Sequence, residues 1–157
     1  MKPTTSTRAA VKFVEGADDL IEGFVAPYGG LHNGRDLDKE FFSPRTDFAL
    51  QWFDEIPLLY GHGKDKDLQL EVVGRVKTRE LTDAGAWAKA QLDKQSRYFD
   101  AISEMIDKGQ LYFSSGAMAH LVQTDKKTGE ILRWPWVELS LTPTPSNLLA
   151  TVEMAKA

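Results

Sequence analysis

Short alternating apolar segments run through most of this sequence, separated by turns rich in Gly, Asp and Ser. This pattern constrains the fold more than any other feature. Side chains on a strand alternate between two faces, so such segments read as half-buried strands. Residues 9–14 and Leu20 to Pro27 make the first two, with a turn over residues 16–19. A short buried strand follows at 57–61, and further strands are expected at 68–80, 86–92, 111–123, 130–141 and 148–154. Thr82-Asp83-Ala84-Gly85 is a hairpin turn, and residues 126–129 make another. Only residues 93–108 carry a clear helical period, with Phe99, Ile102 and Ile106 on one face and Gly109 placed to end it. A short helix from a Thr46 cap to about Phe53 is the second candidate. Six or seven strands with this punctuation predict a mainly β, α+β fold, a closed barrel flanked by helices.

The 157 residues correspond to about one domain. We read 1–8 as a flexible N-terminus, 9–154 as the folded unit and 155–157 as its end. With 42% apolar residues, eight Phe, four Trp and four Tyr, the chain can bury a substantial core. The 19 basic and 23 acidic residues leave a net charge of −4, which argues against nucleic-acid binding through bulk positive charge. There is no cysteine, so disulfides, thiolate nucleophiles and thiolate metal ligands are excluded. With no long apolar run and no secretory leader pattern, the expectation is a soluble protein of a reducing cytoplasm with no membrane partner. The polar stretch 28–40 reads as a long surface loop, a common home for function.

Chemistry concentrates at a few positions. The three histidines, His32, His62 and His120, lack the local spacing of a metal site, and neither a phosphate-binding loop nor a Gly-x-Ser-x-Gly elbow is present. His62 follows the apolar Leu58-Leu59-Tyr60 and sits between Gly61 and Gly63, which leave its imidazole uncrowded. Taken alone, it also reads as a plain strand-terminal histidine. Ser114 and Ser115 lie inside the apolar strand beginning Leu111-Tyr112-Phe113. They are either a cross-sheet hydrogen-bonding pair or a nucleophile with its neighbour, and Gly116 leaves room for a substrate carbonyl. Along Val137 to Leu141, Glu138 and Ser140 share one face and Val137, Leu139 and Leu141 the other. Glu138 is a surface acid if its face meets solvent, and can orient a histidine if that face lines a cleft.

Taken in order, Gly61-His62-Gly63, Val73-Gly74-Arg75-Val76, the helix, Ser114-Ser115-Gly116 and Glu138-Leu139-Ser140-Leu141-Thr142-Pro143-Thr144-Pro145 resemble the prohead maturation serine proteases of tailed bacteriophages. Those proteases share a fold with the herpesvirus assemblins. Glu22-Gly23-Phe24-Val25-Ala26 and Asp36-Leu37-Asp38 are similar to the opening strand and acidic loop of that family. The resemblance spans about residues 10–153.

It implies His62 as the base and Ser114 as the nucleophile. Glu138 takes the third place, with His120 and, for the nucleophile, Ser115 as competitors. Two features count against these competitors. His120 lies six residues beyond Ser114, roughly 20 Å along an extended strand, and Ser115 points to the opposite face. The implied activity is endopeptidase cleavage without a cofactor. Its substrates are the phage scaffold, the N-terminal extension of the major capsid protein and the protease itself, and the place is the host cytoplasm inside assembling proheads. A homodimer is a further arrangement the reading allows, and nucleic acid is not an expected partner. Proteases of this type are often longer, with a C-terminal tail or fused scaffolding region. The sequence ends at Ala157, as a trimmed or autoprocessed form would. Two rival readings stand beside this one: a β-barrel assembly module without turnover, and an esterase using the same three groups.

Overall fold

The computed structural model describes residues 10–29, 40–63 and 71–143. The expected flexible start, most of the 28–40 loop with His32, and the expected strand at 148–154 lie outside these residues. Nine strands and one α-helix run in the order β1 (Lys12–Phe13), β2 (Leu20–Pro27), β3 (Ile56–Tyr60), β4 (Gly74–Thr82), β5 (Gly85–Leu92), α1 (Phe99–Asp107), β6 (Tyr112–Ala117), β7 (Gln123–Thr124), β8 (Ile131–Arg133) and β9 (Trp136–Thr142). Seven of the strands form one sheet in the order β1-β2-β5-β4-β3-β9-β6, while β7 and β8 pair separately. All pairs in the large sheet are antiparallel except β3 with β9.

The sheet curls into a half-barrel and stays open, which corrects the expectation of a closed barrel. Closure requires a ladder between the outermost strands. Here β1 is only two residues long, and a single backbone bond, Val11 N–H to the Leu111 carbonyl at 2.9 Å, spans the gap to the start of β6. The expected flanking helices reduce, among the described residues, to α1. Thr46 does not cap a helix. Its hydroxyl accepts from the Ser43 N–H at 3.0 Å and donates to the Ile131 carbonyl at 2.6 Å, and only a 3-10 turn, Leu50–Trp52, follows.

The concave face holds the core. The small Ala86, Ala88 and Ala90 of β5 share one core cluster with Ile21, Leu58, Phe113 and Leu139, from β2, β3, β6 and β9. Helix α1 adds Ile102 and Ile106 from its apolar face. It ends in a Schellman motif: Gly109, at φ 69°, donates to the Ile106 carbonyl, and Gln110 donates to the Met105 carbonyl. No helix among the described residues is long and apolar enough to cross a membrane.

The two long segments expected at 111–123 and 130–141 each break in two. β6 stops at Ala117 and gives way to a 3-10 turn at Ala119–Leu121. Pro135, which has no N–H to give a ladder, separates β8 from β9.

Candidate active site

β9 lies between β3 and β6, so the three chemistry-bearing segments become neighbours. Across the antiparallel β6–β9 pair, Ser114 stands opposite Ser140 and Gly116 opposite Glu138. Side chains on paired strands share a face at such positions. The same face of this ladder therefore carries Ser114, Ser140 and Glu138.

His62 reaches that face by a change of chain direction. β3 runs parallel to β9 with Tyr60 beside Leu141, so two more extended residues would carry residue 62 level with Pro143. That is five residues beyond Glu138, roughly 16 Å at about 3.3 Å per residue. Instead Gly61, His62 and Gly63 take φ values of 60°, 56° and 79°, three left-handed residues in succession. Glycine adopts this region freely, whereas for an L-residue it costs about 1–2 kcal/mol. The turn folds the chain back over β9, where the His62 N–H donates to Ser140 Oγ at 2.9 Å. The glycines thus shape the backbone as well as leaving the ring uncrowded.

The imidazole closes a chain of hydrogen bonds. Its Nδ1 lies 2.5 Å from Glu138 Oε1, and its Nε2 lies 2.9 Å from Ser114 Oγ. An ionised carboxylate only accepts, so Nδ1 carries the proton, and Nε2 is left as the acceptor for the Ser114 hydroxyl. The second carboxylate oxygen, Glu138 Oε2, accepts from Ser140 Oγ at 2.9 Å. Ser114 is 5% exposed, while the His62 side chain keeps 33% of its surface open. The face carrying Glu138 and Ser140 is thus covered by His62, and Glu138 is no free surface acid.

Gly116 is needed for a reason other than substrate room. A Cβ there would sit 1.8 Å from Glu138 Oε1 and 2.6 Å from its carboxyl carbon. The bare backbone of β6 is the floor on which the glutamate side chain lies. β9 is anchored beside it: Trp136 Nε1 donates to the Glu138 carbonyl at 2.8 Å, and Arg79 Nη1 donates to the Trp136 carbonyl at 3.2 Å. The Arg79 guanidinium also lies over the Trp136 ring, 5.2 Å from its centroid, and burial pushes its pKa down.

The competitors fall away from this centre. Ser115 points to the other side of β6, where its Oγ accepts from Trp134 Nε1 at 2.9 Å. His120 sits exposed on the 3-10 turn after β6. Among the described residues, no three His, Cys, Asp or Glu side chains group as metal ligands would. The role of Gly116 under Glu138 and the contacts of Ser140 were not anticipated from the sequence. The shared parity of residues 138 and 140 was the signal that pointed to the second. Set against family models, curated proteins and solved structures, the chain matches none.

Proposed function

We propose that the chain is a serine endopeptidase acting by acyl transfer, of the prohead-maturation type that its motifs resemble. The observation that carries this reading is the continuous relay from Ser114 Oγ through the His62 imidazole to Glu138. A hydroxyl becomes a useful nucleophile when a positioned base takes its proton and a third group holds that base.

In the proposed reaction, Ser114 Oγ attacks a peptide carbonyl while His62 Nε2 takes the hydroxyl proton. Glu138 holds the Nδ1–H tautomer and stabilises the imidazolium. The C–N bond then breaks, and His62 returns the proton to the departing amine. Water, deprotonated by the same imidazole, releases the acid and restores Ser114. β6 is an outermost strand of the sheet, so an extended peptide can lie beside it. The substrates under this reading are phage scaffold, the capsid-protein extension and the protease itself, within assembling proheads. No residue of the relay calls for a cofactor.

The test is intact mass after co-expression with candidate scaffold and capsid proteins, with peptide and small-ester substrates assayed alongside. Cleavage should occur with the wild-type chain and with Ser115→Ala, vanish with Ser114→Ala, and withstand chelator. A fluorophosphonate should leave its adduct on Ser114. Ester turnover without peptide turnover would favour an esterase. A wild-type chain that takes no phosphonate and turns over neither substrate class would favour a non-enzymatic assembly module. Activity that chelator destroys and phosphonate spares would overturn the serine mechanism.

A further inference from the structure

Ser140 is fully buried, yet it is polar and lies within a strand whose neighbours Leu139 and Leu141 are core residues. A buried hydroxyl requires partners, and here both partners belong to the relay. Its oxygen accepts the backbone N–H of His62, and its proton goes to Glu138 Oε2, each at 2.9 Å. The directions are not interchangeable, because a backbone N–H can only donate and a carboxylate can only accept. One hydroxyl therefore ties the backbone of the base to the carboxylate that orients the base's ring.

We propose that Ser140 is a positioning residue of the site, fixing the His62 backbone in its left-handed conformation and the Glu138 carboxylate in register with Nδ1. This inference rests on the serine-nucleophile reading above. A left-handed L-residue is held only where its surroundings over-determine it, and at His62 the hydrogen bond from its backbone N–H to Ser140 Oγ is one of those restraints. The carboxylate has two oxygens. With Oε2 held by Ser140, Oε1 is the one presented to the ring. Without the hydroxyl, the carboxylate gains a rotational freedom that weakens the relay without touching substrate.

A double-mutant cycle on Ser114 reactivity tests this without a known substrate. The rate of phosphonylation by a fluorophosphonate is measured for wild type, Ser140→Ala, Glu138→Gln and the double variant, with the adduct mapped by mass spectrometry. Removing a hydrogen bond to a charged group should slow labelling about ten- to a hundred-fold in Ser140→Ala. In the Glu138→Gln background the same change should cost less, because one of the two groups through which Ser140 acts has already been altered while the His62 N–H bond remains. Equal losses in both backgrounds would mean that Ser140 does not act through the Glu138 carboxylate and would overturn the proposal. So would wild-type labelling of Ser140→Ala. If Ser140→Ala does not fold, Ser140→Cys, close in volume and a weak hydrogen bonder, carries the same cycle with the same expected coupling. Failure of the underlying reading looks different: the wild-type chain itself would take no label at Ser114, and this proposal would fall with it.

Discussion

At the scale of single residues, the site depends as much on a missing atom as on the groups present. Gly116 was legible in the sequence as space beside a serine, but which group fills that space was not. The answer requires the cross-strand register that sets it against Glu138. The clash a methyl would make runs from the carboxylate of Glu138 down to its Cγ, all side-chain atoms and no backbone, so the variant relieves it only by swinging that side chain aside. Gly116→Ala should therefore fold, with its thermal midpoint little changed, while the displaced carboxylate no longer meets His62. We expect kcat to fall by two to four orders of magnitude with KM nearly constant, the upper figure matching the roughly ten-thousand-fold loss when a triad acid is neutralised. Steady-state kinetics beside a melting curve check this, and full activity in Gly116→Ala would mean that the acid's position is unimportant. In the sequence His62, Ser114 and Glu138 each carried a plain structural reading beside the chemical one, and it was the order of their motifs, through the resemblance, that singled them out. Their hydrogen bonds were not legible there, since those depend on the order β3-β9-β6.

At the scale of elements, two left-handed glycines separate strain from function. Gly63 at φ 79° belongs to the turn that returns His62 over β9, while Gly109 at φ 69° ends α1 far along the chain from it, with nothing within 4 Å of a would-be Cβ. Alanine at either should cost about 1–2 kcal/mol, read as a lower urea midpoint. Under the proposed reading only Gly63→Ala should also lose activity, because only that turn carries His62. Equal activity loss in both would point to general destabilisation. Local signals served the elements well where they were self-contained. The span of β2 was readable as a mostly apolar run after a turn, the β4–β5 hairpin from Thr82 to Gly85, and the end of α1 from Gly109. They failed where tertiary contacts decide. Pro135 marks the break between β8 and β9, but the same apolar pattern continues on both sides of it. Thr46 looks like a helix cap, but its partner is the carbonyl of Ile131, distant in sequence.

At the scale of the whole molecule, closure was the feature least readable in advance. Whether the ends of a sheet meet depends on the length and placement of the two outer strands, and periodicity is silent on both. Long-range fastening elsewhere is electrostatic. Ser43 Oγ donates to Glu130 Oε2 at 2.6 Å, Arg45 Nε donates to the same oxygen at 3.0 Å, and Arg45 Nη2 pairs with Oε1, clamping the segment before the Leu50–Trp52 turn onto the start of β8. These donors hold the Glu130 carboxyl down to about 2, from an ordinary 4.5. Because the folded value lies below the unfolded one, this contribution is fully present above about pH 4.5 and drains away as pH falls through about 2. Urea midpoints across that window should therefore fall for the wild-type chain. Glu130→Gln should be less stable at neutral pH, with the gap narrowing toward acid, and parallel curves for the two would show that the clamp stores no pH-dependent stability.

The placement of β9 has a consequence in time. It is the last strand described, yet in the sheet it lies between β3, which leads into the His62 turn, and β6, which bears Ser114. A chain emerging from the ribosome has made both of those strands before the one that joins them. Under the proposed reading it stays silent until β9 has been made. A protease that counts itself among its substrates is thereby born latent, because the strand order delays its activity until β9 joins the two strands made before it.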